Sequence, residues 1–162
     1  MQTWVRSRAS AALGVSLVAL ALAACGSSGE SKQDFVARAN GICTNAIHDV
    51  RNVSASGSGG AVSAQALAKY LEAVAPIVAS EAKQLKALPR PTTDRALLDK
   101  YLAAAAATAA QYKALAQAAR AGNRQAMSTA TAALQANPAT GLATRYGLTE
   151  CAGATGTVQT SR

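Results

Sequence analysis

The sequence predicts an all-α protein arranged as a four-helix up-and-down bundle. Alanine supplies 42 of the 162 residues, and alanine is the strongest helix former because it loses no side-chain entropy on winding. Apolar residues recur every three or four positions in four separate stretches, the spacing that gathers them onto one helix face. Glycine, proline and asparagine cluster between those stretches, where they act as stops and turns. The length allows about one domain.

The first helix opens at Ser31, an N-cap with Asp34 three residues on, a variant of the capping box. Phe35, Ala39, Ile42, Cys43, Ala46, Ile47 and Val50 then share one face, and Asp34 and Arg38 stand four apart on the outside in the favourable order. An end near Asn52 is expected, because residues 54–60 have the composition of a flexible linker. The second stripe runs Leu67, Tyr70, Leu71, Val74, Val78, Ala82, Leu85 and Leu88, with Ser63 as N-cap and Pro89 and Pro91 as the stop. Pro76 lies inside it, opposite the stripe, and predicts a bend around the core.

The third stripe is expected to start from a cap at Thr92 or Thr93 and carries Leu98, Tyr101, Leu102, Ala105, Ala109, Tyr112, Leu115, Ala116 and Ala119. Gly122 is placed to end it in a left-handed conformation and Asn123 to cap the next helix. The fourth stripe is Met127, Ala130, Leu134, Leu142 and Tyr146, with a kink or break at Asn137-Pro138. Gly147 reads as a left-handed terminus with Leu148 folding back. Leu, Ile, Val and Phe make up only about 16% of the chain beyond residue 24, a range in which disorder is suspected. Modest net charge and the close helix approach that alanine permits favour a folded domain of marginal stability.

Residues 1–24 have a basic start with Arg6 and Arg8, an apolar run from Ala11 to Leu22 and a small-residue end. That is the order of a secretory signal, and the run of about twelve residues falls short of the roughly 20 that span a bilayer core. Leu22-Ala23-Ala24-Cys25 resembles the lipobox of bacterial lipoprotein precursors. The resemblance implies that a diacylglyceryl group is attached to the Cys25 thiol and that a signal peptidase cuts before it. An ordinary secreted protein cut after Ala24 is the competing reading. In the lipoprotein reading residues 1–24 are the signal peptide, 25–30 a lipidated tether rich in glycine and serine, 31–152 the bundle and 153–162 a disordered tail. Two acyl chains would hold the protein stably where one would be marginal.

The same resemblance resolves the cysteine count. Of three cysteines, Cys25 is taken up by the lipid, which leaves Cys43 and Cys151 in an oxidising compartment. A Cys43–Cys151 disulfide is expected, and closing so long a loop would contribute roughly 4 to 5 kcal/mol at most. A two-cysteine metal site or a redox pair are the alternatives. Against them, the chain lacks Cys-x-x-Cys, has a single histidine and places no basic cluster beside either cysteine.

No catalytic constellation is legible, and an enzyme is not expected. His48 points away from the first stripe, beside Thr44 and Arg51, and reads as a solvated surface residue rather than a ligand or base. The eight carboxylates, Glu30, Asp34, Asp49, Glu72, Glu81, Asp94, Asp99 and Glu150, are spread along the chain, and the Glu-x-x-His signature of di-iron bundles is absent. Gly57-Ser58-Gly59-Gly60 lacks the lysine of a phosphate loop. Asn52-Val53-Ser54 matches a glycosylation sequon by chance in this setting. No metal and no cofactor are expected.

Beyond residue 24, 14 Lys and Arg face 8 acids, a formal +6 from 14 − 8, which suits anionic lipid headgroups or wall polymers although the charges are scattered. Nucleic acid is a poor partner for a body that faces away from the cytoplasm, and 4% aromatic content gives little stacking surface. Phe35-x-x-Arg38-Ala39-Asn40-x-Ile42-Cys43 and Tyr146-Gly147-Leu148-x-x-Cys151 resemble small, alanine-rich helical lipoproteins of actinobacterial cell envelopes. That resemblance implies a fold, a bridge and a packing role for Tyr146, but no reaction. The expected function is therefore a non-enzymatic envelope lipoprotein on the extracytoplasmic face of the cell membrane, a tethered module that binds another envelope component. The alternative is a carrier of a small solute or lipid, with Tyr70, Tyr101, Tyr112 and Tyr146 lining an interhelical pocket.

Overall fold

The computed structural model describes residues 30–55 and 63–154. The expected signal peptide, Cys25, nearly all of the expected tether, most of the glycine and serine linker and the residues beyond Ala154 lie outside the described residues. Among the described residues six helices follow one another: α1 (Lys32–Ala55), α2 (Ala64–Ala87), α3 (Arg95–Arg120), α4 (Arg124–Gln135), α5 (Ala139–Tyr146) and α6 (Thr149–Ala154). They form an all-α bundle in which α1, α2 and α3 are long and the fourth side is built from three short pieces. No strand occurs among the described residues.

The caps explain the boundaries. At α1 the Ser31 hydroxyl accepts from the Asp34 N–H at 3.1 Å and donates to the Asp34 carboxylate at 2.6 Å, so one orphan donor of the first turn is met locally. The outer ion pair differs from the expected one: Arg38 reaches Glu30 at 2.8 Å rather than Asp34, whose carboxylate is engaged by Ser31. The helix extends to Ala55, past Asn52. Ser63 caps α2 through the Ala66 N–H at 3.1 Å, and the helix passes Pro76, which is exposed, without interruption. Leu88 is extended ahead of Pro89, as the proline ring requires. Pro91 is fully buried and pins the turn.

α3 starts later than the threonines suggest. Its N-cap is Asp94, left-handed at φ 53° and making no capping hydrogen bond, because its carboxylate pairs with Lys32 of α1 at 2.7 Å instead. At the far end Gly122 is left-handed at φ 63°, the Asn123 N–H returns to the Ala118 carbonyl at 2.9 Å, and the Asn123 side chain caps α4 through the Ala126 N–H at 3.0 Å. This is the Schellman-type turn expected of glycine at that position.

Asn137-Pro138 breaks the fourth stripe outright. The Asn137 side chain accepts from the Ala139 N–H at 2.9 Å and donates to the Ala104 carbonyl at 3.1 Å and to Gln111 at 3.2 Å. It thereby starts α5 and straps the break to α3. Gly147 is left-handed at φ 98°, and the Leu148 N–H returns to the Ala143 carbonyl at 2.9 Å. α6 then runs back alongside α1. Its helical turn includes Gly153 and Ala154, where a disordered tail was expected to have begun.

The interior falls into two clusters. The larger joins Phe35, Ala39 and Cys43 of α1 to Leu85, Leu98, Tyr101, Leu102, Tyr146, Leu148 and Cys151. The smaller holds Ala68, Leu71, Ala116 and Ala119, with Tyr70, Tyr112 and Met127 against it. Among the described residues α4 packs on α3 alone, whereas α5 and α6 complete the larger cluster beside α3 and α1.

Candidate functional site

The bridge is the centre of the larger cluster. Cys43 and Cys151 are joined at an S–S distance of 2.05 Å with Cα atoms 5.0 Å apart across 108 residues of sequence. Both are buried, Cys43 at 0% and Cys151 at 2% exposure. Three helices place it. α1 presents Cys43 on the stripe that also carries Phe35 and Ala39, and the glycine turn at the end of α5 aims α6 back across α1. The Asn40 side chain accepts from the Glu150 N–H at 3.2 Å, so α1 caps the helix that delivers Cys151. The Cys151 sulfur lies 3.6 Å from the Ala39 carbonyl oxygen, a contact rather than a hydrogen bond, since a bridged sulfur carries no proton.

α2 contributes Glu81, a residue the sequence reading left among scattered carboxylates. It is half-buried, and its carboxylate lies with the two sulfurs in a group whose ligand atoms are all within 4.8 Å of one another. Burial lifts its carboxyl to about 7, because removal from water disfavours the charged form. A signal was present: Val74, Val78 and Leu85 bracket Glu81 at helical spacing, so it had to face inward.

Glu81 also opens onto a shallow groove between α1 and α2, walled by Ile42, Ala46, Pro76 and Ile77 and carrying Asn45 and Asp49. A second groove lies between α3 and α4, lined largely by alanines such as Ala110, Ala114, Ala126 and Ala133. Both are open to solvent.

The remaining candidates separate. His48 is exposed, 3.2 Å from Asn52 and 3.8 Å from Asp49, away from the bridge. Tyr146 is 1% exposed, packs edge-on against Phe35 with ring centres 5.9 Å apart and lies under the Lys32 ammonium at 4.7 Å. Its hydroxyl is buried with no hydrogen-bond partner among the described residues. Burial raises the phenols of Tyr101 and Tyr112, and Glu81 adds to both shifts. Tyr101 and Tyr146 belong to one cluster, Tyr70 and Tyr112 to the other, so the four tyrosines do not line one pocket. Across α2 and α3, Arg120 donates to Glu72 at 2.6 Å and holds that carboxyl below its usual range.

Among the described residues no helix is long and apolar enough to cross a membrane. No family model, no curated protein and no solved structure matches the chain.

Proposed function

We propose that the chain is a lipid-anchored protein of the bacterial cell envelope, held on the extracytoplasmic face of the membrane through diacylglyceryl-Cys25. Its disulfide-closed bundle acts as a non-enzymatic interaction module for another envelope protein or for an anionic wall or lipid component. The observation that carries this reading is the buried Cys43–Cys151 bridge, a bond that persists in oxidising compartments and is rare in the cytosol. It is supported by the lipobox-like Leu22-Ala23-Ala24-Cys25 ahead of a tether-like stretch, and by 14 basic against 8 acidic residues beyond residue 24, suited to anionic surfaces.

The test is the modified amino terminus. Intact mass of the protein extracted from membranes should show Cys25 as the first residue carrying the lipid, and Cys25→Ser should abolish detergent partitioning. A Cys25→Ser variant that still partitions with an unchanged amino terminus would overturn the anchor. A carrier function would draw on the alanine-lined α3–α4 groove. Its openness to solvent favours a docking role over enclosure of a solute.

A further inference from the structure

Cys43, Cys151 and Glu81 come from three different helices, and their ligand atoms lie within 4.8 Å of one another. Two sulfurs and a carboxylate oxygen around one point are the donor types of a zinc-class site. In a tetrahedral site, metal–sulfur bonds of about 2.3 Å and metal–oxygen bonds of about 2.0 to 2.2 Å hold the donor atoms roughly 3.5 to 3.8 Å apart. The sulfurs would separate from their bonded distance and the carboxylate would close in, movements within reach of side-chain rotation. The two sulfurs are buried, Glu81 is half-buried, and among the described residues no cation offsets its carboxyl. Of the three, Glu81 lines the adjoining α1–α2 groove, so the carboxylate is the side from which a metal ion, and a water as fourth ligand, would arrive.

We propose that, when the bridge is opened, Cys43, Cys151 and Glu81 form a three-residue site for a thiophilic divalent cation of the zinc class. The same residues then make a covalent staple under oxidising conditions and a metal staple under reducing ones. The opening step is ordinary exchange with a dithiol reductant: the disulfide takes up two electrons and two protons to give two thiols, and the reductant leaves as its own disulfide. Binding of the cation replaces both thiol protons, which pass to solvent, and the ionised Glu81 carboxylate completes the set. Neither Asp49 nor His48 is needed.

The test uses the full chain with Cys25→Ser in every arm, so that no third thiol competes. After reduction by dithiothreitol and anaerobic removal of the reductant, Co²⁺ is added as a spectroscopic probe and Zn²⁺ as its competitor. The expected result is a sulfur-to-cobalt charge-transfer band saturating at one equivalent, with visible bands of a tetrahedral ion, all removed by Zn²⁺ and absent from the oxidised chain. Glu81→Gln should weaken binding on the order of tenfold or more, and Cys43→Ser should abolish the band. Circular dichroism follows the helices in parallel: if reduction loosens them, Zn²⁺ should restore them in the parent and not in Glu81→Gln. No charge-transfer band, no recovery of a loosened fold, or equal affinity in Glu81→Gln would each overturn the assignment.

Discussion

Asn40 on α1 accepts a hydrogen bond from the Glu150 N–H on α6 at 3.2 Å, three residues from one half-cystine and one residue from the other. The bridge is therefore aligned by a polar contact that does not depend on the sulfurs. α6 has only six residues, too few to be stable alone, so its first turn relies on this borrowed cap and on burial of Leu148.

Asn40→Ala should lower stability by about 1 kcal/mol, the usual loss for a helix cap, and Asn40→Asp should restore most of it. Thermal melts under non-reducing conditions check this, with a shift of a few degrees expected. Equal melting points for Asn40→Ala and the parent would show that α6 needs no cap.

Cys43→Ser, Cys151→Ser and the double variant should behave alike, since each removes the same constraint. A loss of a few kcal/mol, with the chain-entropy figure of roughly 4 to 5 as a ceiling, corresponds to a fall of several degrees or more in Tm. Non-reducing peptide mapping of the parent should recover one linked pair containing both cysteines.

Stability should fall as pH rises through the range set by Glu81. Its folded carboxyl is raised from 4.5 to about 7, so between those values the native state holds a proton that the unfolded state has released. Linkage then lowers unfolding free energy with increasing pH, by no more than about 3 kcal/mol in total. The groups around it are Tyr101 and Tyr112 of α3, the bridge sulfurs of α1 and α6, and Asp49 across the groove. None of these supplies a compensating cation. Denaturant melts at pH 5 and pH 8 should show the fall in the parent, and Glu81→Gln should remove most of it while being the more stable protein at pH 8.

Tyr146→Phe should be neutral or stabilising by up to about 1 kcal/mol, because the hydroxyl it removes is buried without a partner. Tyr146→Ala, which empties the contact with Phe35, should lose about 3 to 5 kcal/mol. Chemical denaturation of the two variants separates the ring's contribution from that of the hydroxyl.

Most boundaries were legible because they depend on neighbours in sequence. Ser31, Ser63, Asn123 and Gly147 act within three or four residues of themselves, and the stripe from Phe35 to Cys43 needs only helical periodicity to be read. What escaped depends on residues far apart. Asp94 rather than Thr92 or Thr93 begins α3, yet its carboxylate turns to Lys32, 62 positions away, a pairing no local rule contains. Arg38 chose Glu30 over Asp34 because the cap had already claimed Asp34. The candidate site divided in the same way: both bridge residues followed from counting cysteines, while Glu81, turned inward by its spacing from Val74, Val78 and Leu85, required knowing that it meets the bridge there. The split into two interior clusters was also beyond the sequence, since the second and third stripes run unbroken through both.

The position of the bridge has a mechanical consequence. A force applied between the amino-terminal and carboxyl-terminal ends of the described domain enters along α1 as far as Cys43, crosses the covalent link and leaves through Cys151 and the rest of α6. The 108-residue separation between the two cysteines places α2, α3, α4 and α5 inside a closed covalent loop, outside that load path. Traction would strain the first turns of α1 and the short α6, while the greater part of the bundle stays slack. Opening the bond would transfer the load to the helices it had shielded.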